Sequence, residues 1–268
     1  MPAGLVGDPA EVASASVTTA GMLAPMDART SNDTRLVVEI DGPGSSGKSS
    51  VGSAAALAVG YRFCDTGLLY RALTWLALAR HIPERDAAGL VALVPEVRLV
   101  ADEHGRLGRV VVDGRDVTEE VHGAVVDEHV SDVAKVPEVR AALMPVQRAL
   151  ATTGGIVMAG RDIGTVILPE ADLKIFLDAS VEERARRRAE ERGLDPGSAE
   201  ARWILAELRR RDEIDANRTV APLRPAPDAH HVRTDGNSFE ETVAAVVAEI
   251  RAAEQAHARD RKPTGSAR

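Results

Sequence analysis

At 268 residues, 44% of them hydrophobic, the chain carries enough apolar material for a packed core of one or two domains. A net charge of −8 and an aromatic content of 3% argue against a general nucleic-acid binder, which needs a basic face or stacking platforms. The single cysteine, Cys64, excludes an internal disulfide framework and a cysteine metal cluster and points to the cytosol. No apolar run reaches the roughly 18 residues that a membrane span needs.

Residues 1–33 are small and polar, with no basic start before an apolar block, so they read as a disordered tail and not a secretory signal. The run Leu36-Val37-Val38-Glu39-Ile40 then reads as a strand. It leads into Asp41-Gly42-Pro43-Gly44-Ser45-Ser46-Gly47-Lys48-Ser49-Ser50, which satisfies the phosphate-loop spacing G-x-x-x-x-G-K-[ST], and an Ala-rich helix is expected over 53–59. The chemistry explains the spacing. Glycines let backbone N–H groups turn inward around phosphate oxygens, and the following helix aims its positive end at the same anion. Lys48 adds a mobile charge, and the Ser49 hydroxyl is a ligand for Mg2+.

A second strand is expected at Tyr61-Arg62-Phe63-Cys64. Asp65-Thr66-Gly67 opens a helix to about Ala79, whose apolar face is Leu68, Leu69, Leu73, Leu76 and Ala77. Taken alone, Thr66 reads as a helix cap and Arg71 as a solvated charge. Between 97 and 117 the pattern changes to a hairpin, Val97 to Val100 and Val110 to Val112 around His104-Gly105, with a third short strand at 115–117. This β unit predicts a small inserted subdomain, in which Gly114-Arg115-Asp116 is an exposed turn with no buried strand before it. Residues 125–153 read as helix, broken at Pro137 and bent or stopped near Pro145, and carry Ser131 and Arg140.

A short apolar strand then leads into Gly160-Arg161-Asp162-Ile163-Gly164-Thr165. In an open parallel sheet, ligands sit beyond the carboxyl ends of the strands, which puts Arg161 and Asp162 at the edge that carries the phosphate loop. After a strand at Leu173-Lys174-Ile175-Phe176-Leu177, an arginine-dense helix over 181–192 includes Arg184, Arg186, Arg187 and Arg188. A break at 193–197 leads to a second helix that ends in Arg209, Arg210, Arg211, Asp212, Asp215 and Arg218. Charge runs usually mark a solvated face, but a helical flap rich in arginine is also what a closing lid requires. A last strand at 229–233 and a capping box, Ser238 with Glu241, introduce a helix to about Ala253. His230 and His231 cannot share a strand face and read as structural. From about Ala256 a charged, frayed tail is expected.

These residues together resemble the bacterial cytidylate kinase family of nucleoside monophosphate kinases, over about 36–253. The resemblance rests on Ile40-Asp41-Gly42-Pro43, Asp65-Thr66-Gly67 with Tyr70-Arg71, Gly160 to Thr165, Lys174-Ile175-Phe176-Leu177-Asp178-Ala179, Arg211-Asp212, Asn217-Arg218 and Ala221-Pro222-Leu223. It implies an α/β fold of the P-loop NTPase type: a parallel sheet flanked by helices, with a small β-containing monophosphate-binding insertion and a helical lid. The core is expected over 34–96, 125–180 and 219–255, the insertion over 97–124, the lid over 181–218 and a flexible tail over 256–268. The resemblance implies Mg2+-dependent transfer of the ATP γ-phosphoryl group to CMP or dCMP. Residues 42–50 would hold ATP, and Lys48, Arg161 and Arg188 would act on the transferring group. Cytosine contacts would come from Thr66, Arg140, Asp162 and Arg218, sugar contacts from Ser131, Arg211 and Asp215, and acceptor-phosphate contacts from Arg71 and Arg161. It implies a cytoplasmic monomer with small-molecule substrates and neither nucleic acid nor membrane as partner.

Departures from the family pattern are Ala159, where an acidic residue usually precedes Gly-Arg-Asp, Thr66 in place of serine, and Gly44 where serine is common. Ala159 removes a carboxylate that would help magnesium. Rival readings are a P-loop kinase for another acceptor, a nucleotide-gated switch and a degenerate homologue kept for partner binding. Arg140 and Asp162 together oppose UMP, the inserted hairpin opposes a short metabolite kinase, and no Asn is followed by Lys as a guanine-specific switch requires. Lys48, Arg161 and Asp162 all stand, against the degenerate homologue.

Overall fold

The strand that precedes the phosphate loop, β1 (Val37–Asp41), is buried along nearly its whole length, as a central strand of a parallel sheet must be. The computed structural model describes residues 35–260, so the expected N-terminal tail and positions 261–268 lie outside the described residues. β1 pairs in parallel with β6 (Ile156–Gly160) on one side and β7 (Leu173–Asp178) on the other. Beyond them lie β2 (Arg62–Asp65), parallel to β6, and β8 (His230–Arg233), parallel to β7. The carboxyl ends of β1, β2 and β6 therefore open on one edge, and the phosphate loop, Thr66 and Arg161 follow directly from them.

Alternation along β1 divides its side chains between two faces. Val38 and Ile40 enter a core shared with α1 (Lys48–Val59) and α8 (Phe239–Asp260), among Ala55, Val246 and Ile250. Glu39 and Asp41 point the other way, and Asp41 Oδ2 accepts a hydrogen bond from the Gly164 amide at 2.9 Å. A larger core on that second face joins α2 (Gly67–Ala79), α4 (Ala124–Ala134) and α5 (Pro137–Ala151), through Leu69, Leu73, Leu76, Val130, Val139 and Leu143. Full burial of each such side chain is worth about 1.5–3 kcal/mol.

α1 starts at Lys48, sooner than the expected 53, because Gly47, at φ 92°, turns the loop straight into the helix. α5 takes Pro137 at its first turn and runs through Pro145 without stopping. Pro145 is on the exposed side, where water can reach the carbonyl freed by its missing N–H. The capping box forms reciprocally: the Ser238 amide donates to Glu241 Oε2 at 2.8 Å and the Glu241 amide to Ser238 Oγ at 3.1 Å. α8 continues to Asp260, so residues 256–260 of the expected tail are helical.

The hairpin departs from the expectation of a separate inserted unit. β3 (Val97–Ala101) and β4 (Arg106–Val112) are antiparallel, but β4 also pairs in parallel with β2, Leu107 standing beside Cys64. The β unit thus extends the main sheet, which has the order β3-β4-β2-β6-β1-β7-β8. The physical reason is the free edge of β2, whose backbone groups need partners. Leu107, Val110 and Val112 of β4 bury against the α2 core. Arg115 and Asp116 are exposed and form a two-residue strand, β5 (Arg115–Asp116), on β4, where a third short strand was expected, but the half-buried β4 does precede that turn.

The stretch expected to be a lid is a helical hairpin, α6 (Val181–Glu191) and α7 (Ala199–Ala216), each capped by a serine side chain. It has a small core of its own, Ala185, Ala189, Ala201, Ile204 and Leu208. Ser180 Oγ accepts from the Glu183 amide at 3.3 Å and Ser198 Oγ from the Ala201 amide at 3.0 Å.

Candidate active site

The phosphate loop closes over β7. A Cβ on Gly42 would overlap the carbonyl oxygen of Leu177, so only glycine fits there. Lys48 is the first residue of α1, and its ammonium group folds back to donate to the Pro43 carbonyl at 2.5 Å and the Ser46 hydroxyl at 3.4 Å. Burial, and then the nearby Arg161, push the Lys48 ammonium well below its ordinary pKa. An anion in the loop reverses that penalty. Ser49 Oγ donates to the carboxylate of Asp65, whose other oxygen accepts from the Gly67 amide at 2.9 Å.

A cleft of about 650 Å3 runs from this loop between the sheet edge and the lid. Residues 44–50 line it, and so does every residue expected to hold the acceptor nucleotide, together with Arg188. Gly42 and Pro43 form the base of the loop and are not on its wall.

At one end, Arg140 from α5 and Asp162 from the turn after β6 form an ion pair, with side chains only 4% and 7% exposed. Arg140 also donates to the Ala134 carbonyl at 3.1 Å and lies 5.5 Å over the ring of Tyr70. Thr66 does not cap α2. Its hydroxyl donates to the Ala159 carbonyl at 2.9 Å, which leaves its lone pairs as acceptors toward the cleft. Arg218 and Ser131 are buried and line the same cleft.

Arg161 Nε donates to Asp215 Oδ2 at 2.9 Å, linking the β6 turn to the lid. Burial alone would raise the Asp215 carboxyl, but Arg161 and Arg218 outweigh it and hold it below the usual range. Burial, then Arg161 and Arg71, lower Arg211 to about 10, as befits a cation awaiting an anion. Arg71, Arg188 and Arg211 all reach the carboxylate of Asp127 on α4.

Behind the loop lie two buried carboxylates. Neither oxygen of Glu39, nor Oδ1 of Asp41, has a hydrogen-bond partner among the described residues. Burial, and then Asp41 beside it, raise Glu39 to about 10, and burial raises Asp41 to about 6. A carboxyl whose pKa rises on folding binds its proton more tightly in the folded chain. Stability therefore falls as pH climbs from its unfolded value, 4.5, toward about 10 for Glu39. Glu39→Gln is expected to flatten this loss. Urea midpoints between about pH 5 and about pH 9 will fall less steeply in the variant than in the wild type, and parallel profiles would contradict it.

Sequence reasoning assigned no role to Asp65 and Tyr70, although both stood in the motif that carries the resemblance, and it passed over Asp127 and Glu39. Asp127 lies one helical turn before Ser131, so their shared face was available as a signal. Glu39 had one too, two residues before Asp41 on a strand buried on both faces.

The cytidylate kinase family model matches residues 38–252. A cytidylate kinase of Pelotomaculum thermopropionicum is 44% identical over 217 residues, covering 80% of this chain and 96% of the relative. One of Geobacillus kaustophilus is 46% identical over 211 residues, covering 78% and 93%. Among solved structures, a gluconokinase from Sinorhizobium meliloti 1021 is a distant likeness, with TM-score 0.45 and 17% identity over 84% of this chain and 98% of that one. Because the matched stretch runs from the second residue of β1 well into α8, it encloses every element that lines the cleft, and the chain belongs to the cytidylate kinase family.

Proposed function

We propose that the protein transfers the γ-phosphoryl group of ATP to CMP or dCMP, giving ADP and CDP or dCDP. The observation that carries the reading is the buried Arg140–Asp162 pair beside the Thr66 hydroxyl. Cytosine offers an exocyclic amine donor next to the N3 and O2 acceptors. The free oxygen of Asp162 and the lone pairs of Thr66 suit the amine, and the remaining N–H groups of Arg140 suit N3 and O2. Arg218, buried and lining the same cleft, completes the base end. Uracil reverses the donor and acceptor at two of these positions, at a cost of about 1–3 kcal/mol per mismatched buried group. Ser131, Arg211 and Asp215 suit the ribose 3′-hydroxyl, so dCMP serves as well as CMP.

In this reading the phosphate loop holds ATP, with the Lys48 ammonium moving from the Pro43 carbonyl to the phosphates. Arg71 and Arg161 hold the acceptor phosphate. One of its oxygens attacks the γ-phosphorus, the bond from that phosphorus to the β–γ bridging oxygen breaks, and ADP leaves with the electron pair. The acceptor phosphate is already largely ionised at neutral pH, so no general base is needed. Lys48, Arg161 and the lid residue Arg188 offset the charge spread over the transferring group. The closed lid keeps water from competing as acceptor.

The donor set fits Mg2+. The Ser49 hydroxyl and the Asp65 carboxylate are adjacent hard oxygen ligands, and Asp65 stands beside Ala159 across the β2–β6 pairing. Asp65 thus offers a carboxylate next to the position where the family's usual acid is missing. The bound ion would neutralise charge on the β- and γ-phosphates. In this reading the protein acts as a monomer in the cytoplasm. Among the described residues, no helix is long and apolar enough to cross a membrane. ATP-dependent turnover of CMP and dCMP, measured beside UMP, AMP and GMP, tests the reading, with CMP and dCMP the fast acceptors.

A further inference from the structure

One carboxylate stands apart from the assignments above. Asp127 lies in the first turn of α4 with its side chain 6% exposed, and it does not line the cleft. Its Oδ1 accepts from Arg71 of α2 at 2.6 Å and from Arg211 of α7 at 3.4 Å. Its Oδ2 accepts from Arg188 of α6 at 2.6 Å and, just past the end of that helix, from Arg192 at 3.3 Å. Burial alone would raise this carboxyl, but Arg71, Arg188 and Arg211 prevail and keep it ionised below the usual carboxylate range.

We propose that Asp127 is a positioning residue, a carboxylate hub that draws the arginines of the core and of both lid helices together behind the acceptor-phosphate end of the cleft. Three of its partners, Arg71, Arg188 and Arg211, are on the cleft wall, so the hub sets where their remaining N–H groups point. Without it, four guanidinium groups from three helices and the end of α6 would repel one another at short range. With it, the cluster retains a net positive charge for an incoming phosphate, and the lid is held against α4 before any nucleotide arrives. Charge-assisted hydrogen bonds of this kind are short and directional, so they fix geometry as well as charge.

The proposal rests on the kinase reading for its rate effect but not for its effect on the lid, and the test separates the two. Cys64 is buried, so spin labels can be placed on cysteines introduced by Glu119→Cys, before α4, and Pro196→Cys, between the lid helices, both exposed positions. Electron–electron distance measurements on nucleotide-free protein then report the lid directly. Asp127→Asn, which keeps the size and removes the charge, is expected to lengthen and broaden the distance distribution. In the unlabelled enzyme it should lower kcat with CMP roughly ten- to a hundredfold while leaving the KM for ATP within about twofold. Asp127→Glu should restore both the distance and most of kcat. An unchanged distance and kcat in Asp127→Asn would overturn the proposal. So would a loss of kcat that Asp127→Glu fails to restore while the lid stays closed, since that marks a merely structural role. If Asp127→Asn does not fold, Arg192→Gln, which cuts one half-exposed arm of the hub, must still broaden the distance, and a wild-type distribution there overturns the idea. If no monophosphate is phosphorylated at all, the kinase reading fails, and the distance measurements still decide the hub.

Discussion

Lys48→Ala is expected to lower kcat for CMP phosphorylation about a hundred- to a thousandfold, with the fold intact. The rate effect follows from removing the one mobile cation that the loop aims at the transferring phosphate, where a single electrostatic donor is worth about 10²–10³ in rate. The stability effect runs the other way from most buried substitutions. Burial, then Arg161, depress the Lys48 pKa, so the folded chain holds this ammonium at a cost. Its hydrogen-bond partners are the Pro43 carbonyl and the Ser46 hydroxyl, not a carboxylate, so its loss breaks no direct ion pair among the described residues. Thermal unfolding should show a Tm equal to or above that of the wild type. A folded variant that retains activity within tenfold would remove Lys48 from the chemistry.

Asp162→Asn should act on specificity as well as on stability. The wild-type pair is almost fully buried, so the substitution strands the Arg140 guanidinium without its counter-charge, a change that typically costs about 3–5 kcal/mol. The same change replaces an acceptor-only group by an amide that also donates. An amide N–H can meet the O4 acceptor of uracil, while the cytosine amine loses a charged acceptor. The ratio of kcat/KM for CMP over UMP should therefore fall at least about tenfold, in line with one mispaired buried group. It is measured with saturating ATP at a temperature where circular dichroism shows the variant folded. An unchanged ratio would take Asp162 out of base recognition, whatever happened to stability.

What could be read before the structure was whatever depends on local pattern. The phosphate loop announces itself because glycine, lysine and serine are needed at fixed offsets, and β1, β6 and β7 are legible as apolar runs. The resemblance supplied candidate acceptor residues, and these line one cleft. Pairings between distant segments were not legible. Nothing near Leu107 says that it will lie beside Cys64, so the hairpin read as a separate insertion and not as an extension of the sheet.

Charge runs were the hardest to divide. In the arginine-dense helix, Arg186 is the solvated pairing residue that composition predicts, bound to Glu183 and Glu190. Arg184, two residues earlier, is buried and holds the Gly44 carbonyl at 2.9 Å and Asp212 at 2.5 Å, tying the lid to the phosphate loop. Asp127 looks like any acid in a polar helix until α6 and α7 fold over it. Glu39 stood in plain view two residues before Asp41, but the burial that pairs the two carboxyls comes from helices packed on the strand and not from the run itself.

If this cleft selects cytosine, its monophosphate takes the γ-phosphoryl group of ATP and other monophosphates do so poorly. The measurement that tests it most directly is transfer of label from γ-labelled ATP to CMP, dCMP, UMP, AMP and GMP under identical conditions with Mg2+. Labelled CDP and dCDP are expected at comparable rates, with UMP slower by at least about tenfold and the purines slower still. Label passing equally well to UMP or to a purine monophosphate, or appearing only as inorganic phosphate, would contradict it.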